Sequence, residues 1–172
     1  MAKIILTALL LVSFCSLAFA ANGHLYSTWD VLELDTCASA WLIKRFIDKG
    51  AEFKFFPKGA IITEGTPFDT PDAKFRRTGN MSTFESLLAE YKIADKRLLE
   101  LGEIVRALEI NYWAASPSAE QSALKEKIAG IVKTENDNYR AFEESFKVFD
   151  EFYKRLPEQA NKKAFAIKSP AY

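Results

Sequence analysis

Hydrophobic and polar positions follow two different periods along this chain. Tyr26–Leu34 (YSTWDVLEL) is rich in strand formers and runs directly into Asp35–Asp48, where the apolar residues take a helical spacing. At about 100° per residue, Ala38, Ala40, Trp41, Leu42, Ile43, Phe46 and Ile47 cover most of the helix circumference. Only Cys37, Lys44 and Asp48 share a narrow polar side. A helix that is apolar nearly all round is buried on more than one side. Asp35 or Thr36 supplies the N-cap, since either side chain can accept from a free first-turn amide, and Lys49-Gly50 supplies the stop. Ala51–Phe56 is the next strand. Strand, helix and strand over ~30 residues predict a right-handed parallel crossover, and ligand sites of α/β units gather at the turn from strand to helix, here Asp35–Cys37.

Residues 57–79 are loop-like, with Pro57, Pro67, Pro71 and three glycines; hydrophobes near residue 61 and at Ala73–Arg76 could add one or two short strands. Four helices follow. Ser82 or Thr83 caps the first, and Ser82 with Glu85 fits a capping box. The second starts after Asp95, the third near Ser118, with a break at Asn111–Pro117 between them. The fourth runs from about Glu135 to Leu156, and its Tyr139, Phe142, Phe146, Phe149, Tyr153 and Leu156 alternate in steps of three and four, the spacing of a packing seam. The fold class is therefore α+β and predominantly helical: a small sheet with a strand–helix–strand unit, then about four packed helices.

Residues 1–20 carry Lys3, an apolar run from Ile4 to Phe14 and an Ala-Phe-Ala end at Ala20, the pattern of a secretory signal peptide. Its removal would leave 21–172 as a single periplasmic or secreted domain without a membrane anchor. Of the two cysteines only Cys37 would remain, which excludes an intrachain disulfide. A formal net charge of zero gives no basic surface for nucleic acid. His24 is the sole histidine and lies in a stretch expected to fray, which argues against His-dependent triads and histidine-rich metal sites. No cofactor motif is legible.

Arg45 projects into the apolar arc of the central helix, so its guanidinium needs a partner: a structural carboxylate, or a bound anion. Cys37, in the first turn, is either a small inert residue or a thiol activated by the helix N-terminus. Asp69, Asp72, Arg76 and Arg77 in the loop are ordinary turn residues or a charged site.

The order Asp35, Ala38, Trp41-Leu-Ile-Lys-Arg-Phe-Ile-Asp48, Ala51, Phe53 resembles the chromate-resistance protein family, in particular the ChrB C-terminal domain and its exported single-domain relatives. Gly65-Thr-Pro-Phe-Asp-Thr-Pro-Asp-Ala73, Thr83–Leu88 and, more weakly, Ile104-Val-Arg106 with Glu109 extend the resemblance from about Trp29 to Trp113. Thr36, Ser39 and Ala40 depart from the family pattern, as do Arg76, Arg77 and Arg106 near places where relatives often carry histidine. The resemblance implies a role in chromate response; in the family the full-length protein is associated with regulation of a chromate efflux operon. An exported domain would instead bind chromate or a related small oxyanion. The candidate ligand-binding residues are Arg45, Arg76 and Arg77 for charge, Thr36 and the amides near Cys37 as donors, and Asp35, Asp69 and Glu85 to orient the arginines. Two other classes stay open: an enzyme using Asp35, Asp69, Glu85 and Glu109 as acid/base or metal-binding carboxylates, and a non-catalytic interaction module.

Overall fold

The computed structural model describes residues 24–110 and 116–157. The expected leader, most of the break after residue 110 and the polar tail lie outside them.

Three parallel strands form the sheet, in the order β2-β1-β3: β1 Leu25–Trp29, β2 Glu52–Phe56 and β3 Thr66–Pro67. Tyr26 pairs with Phe53 on one side and with Thr66 on the other. β1 ends at Trp29 rather than at Leu34, because the next residues are tied to the β2–β3 loop. The Asp30 amide donates to the Phe56 carbonyl (2.7 Å), the Asp30 carboxylate accepts from the Lys58 amide (3.0 Å), and the Trp29 indole donates to the Ala60 carbonyl (3.0 Å). Gly65 enters β3 with φ +75°, and a Cβ there would stand 2.8 Å from the Leu25 carbonyl and 2.6 Å from Ser27 Oγ. The approach to the sheet thus requires glycine. Beyond β3, a bridge between Phe68 and Phe75 is the trace of the second short strand. His24 is held rather than frayed, its amide (2.9 Å) and ring nitrogen (3.1 Å) both on the Asp48 carboxylate.

The central helix α1, Leu34–Leu42, is buried along its whole length. It packs against all four later helices: α2 (Thr83–Glu90), α3 (Lys96–Glu109), α4 (Ala119–Thr134) and α5 (Asn138–Arg155). It does not continue as a regular α-helix to Asp48. Ile43–Ile47 form a π turn, closed by the Asp48 amide on the Ile43 carbonyl (2.8 Å). On a regular helix Phe46 would stand about 140° away from Trp41. The wider turn brings the two rings to 5.2 Å and lets both meet Tyr153 of α5. Cys37, expected on the polar side, is completely buried, because α5 covers that side as well.

The later helices start where their caps predict, at Ser82, Asp95 and Ser118; α5 starts a turn later than expected, after Asp137. Phe142, Phe146 and Phe149 of the α5 seam are buried. Phe53 and Phe55, which share one face of β2, meet Phe142 edge-on at 5.2 and 5.0 Å. Each such ring contributes about 1.5–3 kcal/mol by leaving water, so the seam clamps α5 to both the sheet and α1. Among the described residues no helix is long and apolar enough to cross a membrane.

Candidate functional site

The carboxyl end of β1 and the start of α1 form one wall of the site. Glu33 is the N-cap residue of α1, and its amide donates to Thr36 Oγ1 (3.2 Å). The Thr36 hydroxyl in turn donates to Asp69 Oδ2. Asp69 follows β3 in the left-handed conformation, φ +51°, a region Asp tolerates better than most residues. The Asp69 amide donates to the Phe75 carbonyl (2.8 Å), and Oδ1 accepts from Thr83 Oγ1 (2.7 Å).

Asp35 is not the cap of its own helix. It is fully buried and caps α2: Oδ2 accepts from the Thr83 amide (2.8 Å) and Oδ1 from the Phe84 amide (3.0 Å). Ser82 and Glu85 complete that cap as the expected reciprocal pair, at 3.0 and 3.1 Å. The first-turn amides of α2, normally left without partners, are thus met by two different elements.

Arg77 sits at the centre of this arrangement, with four carboxylates around it. Nη1 lies 2.8 Å from Glu33 Oε2, while the approaches to Asp35, Asp69 and Glu109 are 3.6, 3.7 and 3.8 Å. Glu109, at the end of α3, also meets Lys125 Nζ of α4 at 3.1 Å. Burial, and then the Asp69 charge, push Asp35 up to about 7 against the pull of its two amides and Arg77. Burial also raises Asp69, offset in part by the Thr36 and Thr83 hydroxyls, and raises Glu109, offset in part by Lys125. Arg77 is held above its ordinary value by the surrounding carboxylates, although burial opposes them. It stays a cation throughout.

A cavity of about 440 Å³ opens in front of Arg77. Lys58, Arg76 and Arg77 bring cationic groups to it, Thr36 and Thr70 hydroxyls, Glu33 and Asp69 carboxylates, and Trp29 and Val31 an apolar side. Arg76 is exposed, with Nη1 on the Ala73 carbonyl (2.9 Å). A second cavity of about 350 Å³ lies on the other side of Glu33, between Leu32, Leu34 and α4, with Glu109, Lys125 and Lys133 in its wall.

Of the residues singled out in the sequence, Asp35, Thr36, Asp69, Arg76 and Arg77 come together here. Cys37, Arg45 and Glu85 do not line the first cavity. The Arg45 fork is taken by Asp150, Nε to Oδ1 (3.1 Å) and Nη2 to Oδ2 (2.9 Å), and lies over the Phe146 ring. Burial pushes the Cys37 thiol up to about 12 despite the neighbouring Ser145 hydroxyl, so it carries no thiolate at neutral pH. Glu85 is held by its capping box and by Arg106 Nε (2.9 Å). The convergence expected of an acid/base or metal site is partial: Asp35, Asp69 and Glu109 surround Arg77, and Glu85 stands apart. Among the described residues no three His, Cys, Asp or Glu side chains are grouped to hold a metal ion. Glu33 and Lys58 were not singled out, and Thr70 and Thr83 entered only through the resemblance blocks and, for Thr83, as a helix cap. Glu33 lies in what reads as a strand, and Lys58 lies among turn residues that carry no pattern.

The family model "ChrB, C-terminal domain" matches residues 26–156. Protein ChrB of Cupriavidus metallidurans is 31% identical over 134 residues, a match covering 77% of this chain and 40% of that protein. The chain therefore spans less than half the length of this relative. No solved structure matches.

Proposed function

The chain belongs to the ChrB C-terminal domain family, and from that premise we propose that it serves in chromate response by binding chromate, or a related tetrahedral oxyanion, in the cavity before Arg77. The observation that carries this reading is the cavity wall. Three cationic side chains, Lys58, Arg76 and Arg77, and the hydroxyls of Thr36 and Thr70 line one space at the carboxyl end of a parallel strand. Guanidinium forks and hydroxyls are the groups that hold a tetrahedral dianion. Asp35, Asp69 and Glu109 approach the guanidinium at 3.6, 3.7 and 3.8 Å and hold its charge in place. The leader pattern of residues 1–20 supports placing this function outside the cytoplasm.

The test is thermal unfolding of protein recovered from the periplasm, its N-terminus expected at Ala21, against chromate, sulfate, phosphate and a panel of divalent cations. An oxyanion at 100 times its Kd adds about 2.7 kcal/mol, a rise of about 5–10 °C for a chain of this size. Arg76→Ala with Lys58→Ala, both exposed positions, should remove the rise and leave the unliganded Tm near its wild-type value. Arg45→Ala should keep the rise. Stabilisation by cations alone would reject the oxyanion reading.

One observation favours a second reading. Asp35 and Asp69 are both buried and raised by burial, and the Asp69 charge raises Asp35 further, as in acid/base pairs. The variant Asp69→Asn separates the two. It removes a negative charge from the cavity and should strengthen anion binding, whereas it would abolish acid/base turnover.

A further inference from the structure

Arg77 is the least exposed cation of the cavity, yet its Nη1 is already occupied by Glu33. Among the four carboxylates around it, Glu33 makes the closest approach, at 2.8 Å, and differs from the others in exposure. Its side chain is 52% exposed, against 0% for Asp35, 6% for Asp69 and 9% for Glu109. Asp69 is fastened by two hydroxyls and Asp35 by two amides. Glu109 shares Lys125. Glu33 is anchored to α1 by its amide on Thr36 Oγ1 and its carbonyl under the Cys37 amide (3.0 Å), and its side chain closes a capping box on the Thr36 amide. Its carboxylate is the most exposed of the four, and its departure from Arg77 puts no more than this one helix cap at stake. It also borders both cavities, and the second cavity offers Lys133 in its wall as a cationic neighbour for the displaced group.

We propose that Glu33 is the site's own competing anion: it occupies Nη1 of Arg77 in the unliganded protein and must swing aside for an oxyanion to engage that end of the guanidinium. The inference rests on the oxyanion reading above and concerns how affinity is set there. A carboxylate and a tetrahedral dianion present oxygens to the same fork, so the two exclude each other at Nη1. The cavity then prefers a dianion over a monoanion. Only the greater charge, shared with Lys58 and Arg76, compensates for displacing Glu33 beside Asp69. A carboxylate held a few ångströms from the incoming anion weakens it both by repulsion and by occupancy.

The experiment is calorimetric titration of chromate, sulfate and nitrate into the wild type, Glu33→Gln and Glu33→Ala, with Glu144→Gln on the exposed face of α5 as a control for net charge. Both Glu33 variants should lower the dianion Kd by about tenfold or more. They should also narrow the preference over nitrate, while the control leaves both unchanged. Binding seen only in the Glu33 variants would support the inference as well. Unchanged or weaker binding in those variants, with the wild type binding normally, would overturn it and leave the oxyanion site standing; Glu33 would then be a positioning group for Arg77. No anion binding in any variant would reject the site and the competitor together.

Discussion

Asp35 shows how one residue's partner changes its meaning. In the sequence it reads as the cap of the helix it begins. In the fold its two oxygens accept the first amides of α2, which lies 48 residues further on. The exchange has a physical basis. An aspartate that starts a helix can face its own amides or a neighbour's, and the capping of α1 is taken over by the reciprocal pair Glu33 and Thr36. Asp35→Asn therefore keeps the shape of the side chain and breaks its function. The amide NH₂ must face either the Thr83 or the Phe84 N–H, leaving a buried donor without an acceptor. The expected cost is about 2 kcal/mol, read as a lower urea midpoint with an unchanged m-value. A Thr83→Ala variant, which keeps both backbone donors, should lose less.

At the scale of elements, Asp150 holds α1 and its π turn to α5. Oδ1 accepts from the Trp41 indole (2.8 Å) and from Arg45 Nε (3.1 Å), and Oδ2 from Arg45 Nη2 (2.9 Å). The indole is completely buried, whereas the guanidinium is 41% exposed. Losing a buried donor's partner outweighs losing a half-exposed ion pair. Asp150→Ala should accordingly cost about 2–3 kcal/mol, and Arg45→Ala about 1 kcal/mol or less, both measured by urea unfolding. The reverse order would make the ion pair, not the indole bond, the tie between these elements. The same contacts show what was legible in the sequence. The caps Ser82, Asp95 and Ser118 and the α5 seam are local patterns, and they hold. The strand–helix–strand crossover follows from spacing and holds too. The π turn does not show in a helical wheel, because it is set by rings on α5. The partner of Arg45 lies 105 residues away, one position past the seam residue Phe149. Asp69, Arg76 and Arg77 were visible as charged loop residues, but their association with Glu33 and Lys58 is made by the bend that ends β1 at Trp29.

Over the whole molecule, Arg77 is the point where separately placed negative charges meet. Glu33 and Asp35 come from the start of α1, Asp69 from the loop after β3 and Glu109 from the end of α3. Folding brings them together and raises Asp35, Asp69 and Glu109 above the range of unfolded carboxylates. A raised carboxyl holds its proton longer in the folded chain than in the unfolded one. Its contribution is complete below about pH 4 and is lost as pH rises towards about 7, the value of Asp35. The lowered carboxylates Asp48, Asp95 and Asp150 are ionised in both states above pH 5, so they add no slope there. Urea unfolding should thus give a stability at pH 8 about 2 kcal/mol below that at pH 5. Arg77→Met should deepen this slope. Without the guanidinium the folded carboxyls rise further, and their charges lie uncompensated at high pH. The variant should lose about 3 kcal/mol at pH 8 and clearly less at pH 5, where the protonated carboxyls can donate to one another. An equal loss at both pH values would mean that Arg77 acts through packing alone, and that the carboxylates around it titrate independently of its charge.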